Sequence, residues 1–135
     1  MQVLLSIKPE FVERIFAGEK LFEYRKAIFR RSGVDKVIIY STLPEGKVVG
    51  EFSIDHILSD TPQEIWRKTK SYSGINKDFF ENYFSGKTEA HAIKIGNVKK
   101  YKSPFKLDKM KKKVTAPQSF MYLSKDYFPE FAFDE

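Results

Sequence analysis

The chain has 135 residues, of which 41% are hydrophobic and 16% aromatic, with 13 phenylalanines and 7 tyrosines; that is enough apolar material for one core and excludes a disordered chain. It holds no cysteine, which excludes disulfides and thiolate chemistry and fits a cytoplasmic protein; no apolar run approaches the roughly 18 residues of a membrane span, and the N-terminus does not read as a signal peptide. The net charge of +6 and the pI near 9.4 come mostly from residues 99–113, which hold eight lysines and one aspartate and so carry +7, leaving −1 for the rest.

In chain order, QVLLSI (residues 2–7) predicts a first strand. Lys8-Pro9-Glu10 then opens a helix, since proline loses nothing in the first turn and an acid there suits the helix dipole. Phe11, Val12, Ile15 and Phe16 give that helix an apolar stripe, and Gly18 ends it. Leu21–Lys26 predicts a second strand and Val34–Tyr40 a third, β-branched and buried at its centre. The loop Ser41–Gly46 has turn chemistry. A long fourth strand is expected over Lys47–Leu58, with Gly50 marking a bulge or a close backbone approach.

Asp60 or Thr61 caps a helix that has Pro62 in its first turn and Ile65 and Trp66 as anchors. Asn76 caps another helix, whose Phe79, Phe80, Tyr83 and Phe84 read as a packing face and whose stop is Gly86. Ala90–Tyr101 predicts a strand, followed by the lysine-rich region and a last strand over Pro117–Leu123. The order of elements predicts an α+β fold, with a curled or closed sheet carrying helices. One domain over 1–123 and an acidic C-terminal tail over 124–135 are expected.

The chemistry concentrates in Gly18–Arg25. At strand parity Glu23 and Arg25 share one face, and Phe22 and Tyr24 share the other; Lys20 leaves Gly18 with no direction fixed by parity. These groups either form a solvated surface pair or line a cleft for an anionic ligand, with Arg25 on a phosphate or base edge, Glu23 orienting it and Lys20 as a second cation. A desolvated Lys20 could also act as base or nucleophile, with Glu23 beside it.

Lys8, Tyr40, Ser41, Tyr72 and Ser119 complete the expected ligand-binding set, with a backbone N–H of the Tyr72–Gly74 loop facing the ligand. For a nucleic-acid backbone the candidates are Lys26, Arg30, Arg31, Lys99, Lys100, Lys102, Lys109, Lys111, Lys112 and Lys113; the plain alternative for the lysine run is a solubilising loop. His56 and His91 lack the partners and spacing of a metal motif and read as structural. No metal and no cofactor is expected.

Gly18-x-Lys20-x-x-Glu23-x-Arg25 resembles the signature of the ASCH domain family, a branch of the PUA-like superfamily. Leu5-Ser6-Ile7-Lys8-Pro9, Tyr40-Ser41-Thr42, Val48–Phe52, Trp66, Tyr72–Ile75, Phe79, Tyr83-Phe84 and Pro117-Gln118-Ser119-Phe120 extend the resemblance over residues 3 to 123. It implies a PUA-like β-barrel with flanking helices and a cleft lined by the signature. It further implies binding of RNA or a modified nucleotide, with a role in transcription or translation. Some members are ribonucleases or acylcytidine amidohydrolases. The latter pair the lysine with a threonine three residues on, where this chain has Glu23, and their further glutamate has no counterpart near Ser73-Gly74. A small hydrolase using Lys20 is the alternative reading, and a regulator that binds a small metabolite is a third.

Overall fold

The computed structural model describes residues 1–129. Six strands and three helices make an α+β fold: β1 (Gln2–Ile7), α1 (Pro9–Phe16), β2 (Phe22–Arg25), β3 (Lys36–Ser41), β4 (Lys47–Asp60), α2 (Pro62–Thr69), α3 (Lys77–Tyr83), β5 (Ala90–Phe105) and β6 (Phe120–Leu123). The strands lie in one mixed sheet of order β2-β5-β4-β3-β1-β6. Only β1 and β3 run parallel; the other pairs are antiparallel.

The expected closed barrel is not formed. The sheet is open, with β2 and β6 at its two edges. Both edge strands are four residues long, and side chains rather than a backbone ladder join them. The Arg25 guanidinium donates to the Ser119 carbonyl ahead of β6 (2.6 Å) and to the Ser6 carbonyl in β1 (3.4 Å). Phe29 packs edge-on against Phe120, and the amides of Arg30 and Arg31 donate to the Tyr122 hydroxyl. The sheet therefore curls on itself and leaves a seam that Arg25 staples.

Strand alternation divides the core. Val3, Leu5 and Ile7 of β1 face a cluster with Val12 and Ile15 of α1, whereas Leu4 faces the other side, with Tyr40, Tyr101, Met110 and Val114. A third cluster fixes α2 and α3 on the sheet through Phe22, Tyr24, Ile65, Phe80 and Phe84. Capping follows the sequence: the Thr61 hydroxyl accepts from the Glu64 amide and the Asn76 side-chain oxygen Oδ1 from the Phe79 amide. At Gly50 an added Cβ would lie 2.5 Å from the Lys99 carbonyl oxygen and 2.7 Å from Phe16, and the β4–β5 register shifts beside it; bulge and close approach are both present.

Several strand ends differ from expectation by one or two residues, and two, in β5 and β6, differ by more. β5 runs on to Phe105 because Tyr101 and Phe105 stack on the second cluster and Phe105 pairs with Val48. β6 starts three residues late because the Pro117 and Ser119 carbonyls accept from the side chains of Ser6 and Arg25. After β6, Phe128 is buried in the second cluster, and the Tyr127 carbonyl accepts from the Lys111 amide. Residues 124–129 are thus tied to the domain, while the rest of the expected tail, 130–135, lies outside the described residues.

Candidate functional site

A cleft of about 240 Å³ opens where the end of β1, helices α1 and α3, and strand β2 meet. Lys8, Lys20, Glu23 and Arg25 all line it. Its walls are aromatic: Phe11 and Phe79 meet edge-on at 5.1 Å between ring centres, and Phe79 and Tyr83 lie parallel at 6.3 Å. Three cations thus face one carboxylate between rings, which suits a flat ligand that carries negative charge.

Lys20 is the most deeply placed of the four, at 1% exposed. Three consecutive carbonyls build its seat. That of Tyr72 accepts from the Leu21 amide, that of Ser73 from the Lys20 ammonium at 2.9 Å, and that of Gly74 from Arg14 at 2.6 Å. Gly74 has φ +70°, and a Cβ on it would lie 2.5 Å from that of Lys20, so only glycine lets the loop close over the lysine stem. The ammonium sits 4.8 Å from the Tyr24 ring centre and 5.4 Å from that of Phe11. Burial pushes its pKa down to about 8, with Arg14 adding to the fall and Glu23 opposing it. The neighbouring Tyr24 hydroxyl bonds Thr69 at 2.7 Å, and burial raises its pKa to about 12.

Glu23 and Arg25 are 6% and 8% exposed and pair at 3.2 Å through Glu23 Oε2. Arg25 lines the cleft as expected of a ligand-binding candidate, and its guanidinium is also held by Glu23, Ser6 and Ser119, so it supports the cleft floor. Glu23 Oε1 has no hydrogen-bond partner among the described residues and is not among the solvent-inaccessible atoms left unpaired. It is an acceptor held ready at the cleft.

Other expected residues lie elsewhere. Tyr40 is in the second core cluster and Ser41 is fully buried, its hydroxyl without a partner; neither lines the cleft, because β3 lies in the middle of the sheet. Tyr72 is 58% exposed and does not line it. The carbonyls of Tyr72, Ser73 and Gly74 turn towards Leu21, Lys20 and Arg14. Ser119 contributes its carbonyl to Arg25, and Gln118 beside it lines the cleft.

Sequence reasoning missed Phe11, Tyr24, Phe79, Tyr83 and Gln118. The aromatic stripe of α3 divides: Phe80 and Phe84 are buried, whereas Phe79 and Tyr83 are half-buried and wall the cleft. Lysines mark both rims, Lys8 at 5.1 Å from the Phe79 ring centre and Lys26 at 4.5 Å from that of Tyr83, but these contacts are tertiary and no local pattern in the sequence announces them.

The basic residues lie in three places. Lys26, Arg30 and Arg31 follow β2 beside the seam. Lys99, Lys100 and Lys102 lie in the outer half of β5. Lys109, Lys111, Lys112 and Lys113 lie in the segment that covers the second core cluster, with Lys112 paired to Asp126. His91 bonds Ser59 and Glu89, and His56 bonds Asp55. Among the described residues no cluster of three acidic, histidine or cysteine side chains could hold a metal, and no helix is long and apolar enough to cross a membrane.

Comparison with known proteins places this geometry. The chain is 29% identical over 124 residues to Large ribosomal subunit protein uL22 of Ureaplasma parvum, matching 90% of this chain but spanning only 39% of that protein. It is 25% identical over 128 residues to the ASCH domain-containing ribonuclease of Zymomonas mobilis, covering 93% of this chain and 86% of the relative. The crystal structure of ASCH from Zymomonas mobilis superposes with a TM-score of 0.85 at 24% identity, over 93% of this chain and 90% of that one. The family described as Domain of unknown function (DUF365) matches residues 1–123. The chain therefore belongs to the DUF365 family and shares the α+β fold of the Zymomonas mobilis ASCH structure.

Proposed function

We propose that the chain is a nucleic-acid-binding module, for RNA above all, whose cleft takes up one unstacked base or nucleotide. The observation that carries this reading is the convergence of Lys8, Lys20 and Glu23 between Phe11, Phe79 and Tyr83. Aromatic walls stack any base, the open Glu23 oxygen accepts from a ring N–H or amino group, and the lysines meet carbonyl or phosphate oxygens. Two relatives bear RNA-related names, one a ribosomal protein and one a ribonuclease. Lys8→Ala and Tyr83→Ala should each weaken binding of an RNA oligonucleotide several-fold, roughly 1–3 kcal/mol for the stacking residue, as read by fluorescence anisotropy. Unchanged affinity in both would defeat the cleft reading.

Cleavage of RNA is the second reading, favoured by one observation: a buried lysine whose pKa is near 8. Its neutral form could take the proton of a ribose 2′-hydroxyl as that oxygen attacks the adjacent phosphorus; the bond from phosphorus to the 5′-oxygen breaks, leaving a 2′,3′-cyclic phosphate, and the departing 5′-oxygen takes a proton from water. Incubation of the protein with single-stranded RNA should then show cleavage that increases towards pH 8 and is lost in Lys20→Met, which keeps the packed stem. RNA left intact by wild-type protein leaves the binding module.

A further inference from the structure

The two basic segments are not equivalent, and we propose that the β2–β6 seam carries the nucleic-acid strand that flanks the base in the cleft, while the lysine run over 99–113 does not. The inference rests on the cleft reading above and extends it to a path.

A second groove, of about 530 Å³, lies on the seam; Lys26, Arg30, His91, Phe120 and Tyr122 line it. Its lining residues adjoin those of the cleft along the chain. Arg25 lines the cleft and Lys26 the groove; on the other side of the seam Gln118 lines the cleft and Phe120 the groove. Two residues of extended chain span about 6.6 Å, a step short enough for one strand to pass from cleft to groove. The Lys26 ammonium marks the junction, 4.5 Å from the ring centre of the cleft residue Tyr83.

The groove has the chemistry of a single-strand track. Lys26 and Arg30 are exposed cations, and the Arg31 guanidinium lies 4.5 Å from the Tyr122 ring centre. Phe120 and Tyr122 are half-buried rings, set edge-on to each other. Cations beside rings suit a backbone with its bases splayed against protein. Glu89 also lines the groove, but its carboxylate faces His91 at 3.3 Å. An open sheet edge alone would invite a peptide strand; here the loop carrying Phe29 and Arg30 covers β6, and the surface left is charged.

The lysine run lies apart. No residue of 99–113 lines the cleft or the seam groove. Met110 and Val114 pack with Leu4 in the second core cluster, and no buried member of that cluster lines the cleft or the groove.

Two variants with equal charge loss test the path: Lys26→Ala/Arg30→Ala/Arg31→Ala and Lys109→Ala/Lys111→Ala/Lys113→Ala. The probes are a nine-nucleotide single-stranded RNA at two salt concentrations and a nucleoside monophosphate. The seam variant should bind the oligonucleotide at least tenfold more weakly, with the salt slope reduced by about 2 for three lost contacts, and show a much smaller loss on the monophosphate, where only Lys26 touches the cleft rim. The lysine-run variant should match wild type on both probes. Arg30→Gln alone leaves the Tyr122 hydrogen bonds to the backbone in place and should show a smaller loss of the same kind, so the test survives a fold defect in the triple variant. A salt slope reduced by the lysine-run variant and not by the seam variants overturns the path alone. Oligonucleotide and monophosphate binding that Lys8→Ala and Tyr83→Ala leave intact overturns the cleft reading instead, and wild-type protein that binds no RNA overturns both.

Discussion

Lys20 shows how one side chain can be costly to fold and useful once folded. An ammonium 1% exposed gives up its hydration. What it gains is the Ser73 carbonyl and two ring faces. Its folded pKa of about 8 lies below the usual lysine value of 10.5, so between those values the unfolded chain binds more protons. Stability from this group must therefore rise as pH increases from about 8 to 10.5, by something on the order of 3 kcal/mol. Tyr24 acts oppositely above pH 10, where the unfolded phenol ionises first. Urea unfolding of wild type and Lys20→Met at pH 7.5 and pH 10 isolates the lysine, since Tyr24 is common to both. The wild type should gain on the variant at the higher pH; parallel behaviour would show that Lys20 is not desolvated. The motif marked Lys20 as a candidate, but no local pattern gave its depth. That depth comes from the Tyr72–Gly74 loop, more than fifty residues away in sequence.

At the scale of elements, α3 carries two tasks on adjacent turns. Phe80 packs edge-on to Tyr24 at 5.2 Å and meets Trp66 at 4.8 Å, whereas Phe79 faces the cleft. Phe80→Ala should cost about 3–5 kcal/mol of stability, measured by chemical denaturation. Phe79→Ala should cost clearly less and instead weaken RNA binding; equal destabilisation would show that the stripe is one packing face. Element positions were largely legible. Pro9, Pro62 and the Asn76 cap mark helix starts, and Gly18 and Gly86 mark stops, because capping is decided within a turn of chain. The partition of Phe79 from Phe80 was not legible, since an aromatic run has the same apolar signature whether it meets a core or a cleft wall. The late start of β6 was likewise hidden, because the groups that take the Pro117 and Ser119 carbonyls belong to β1 and β2.

For the whole molecule, Arg25 decides how far the sheet closes. It is buried, paired with Glu23, and bonded to carbonyls from two other parts of the chain. Arg25→Ala should cost about 3–5 kcal/mol, because Glu23 is left as an unpaired buried charge. Arg25→Lys should recover little, since one ammonium cannot span the fork of carbonyl and carboxylate acceptors. The double change Glu23→Gln/Arg25→Met should be more stable than Arg25→Ala alone, as thermal unfolding would show; the reverse order would mean that the pair is not what holds the seam. The sequence by itself determined the α+β class, the ends of most elements, and the residues of the Gly18–Arg25 signature, because these follow from periodicity, capping and residue type over short spans. Only the tertiary structure decided that the sheet stays open, that Arg25 is a staple, that Tyr40 belongs to the core, and that the lysine run lies away from the cleft. Each of these depends on which distant carbonyl, ring or strand edge a side chain meets, and contacts across a hundred residues leave no local pattern to read.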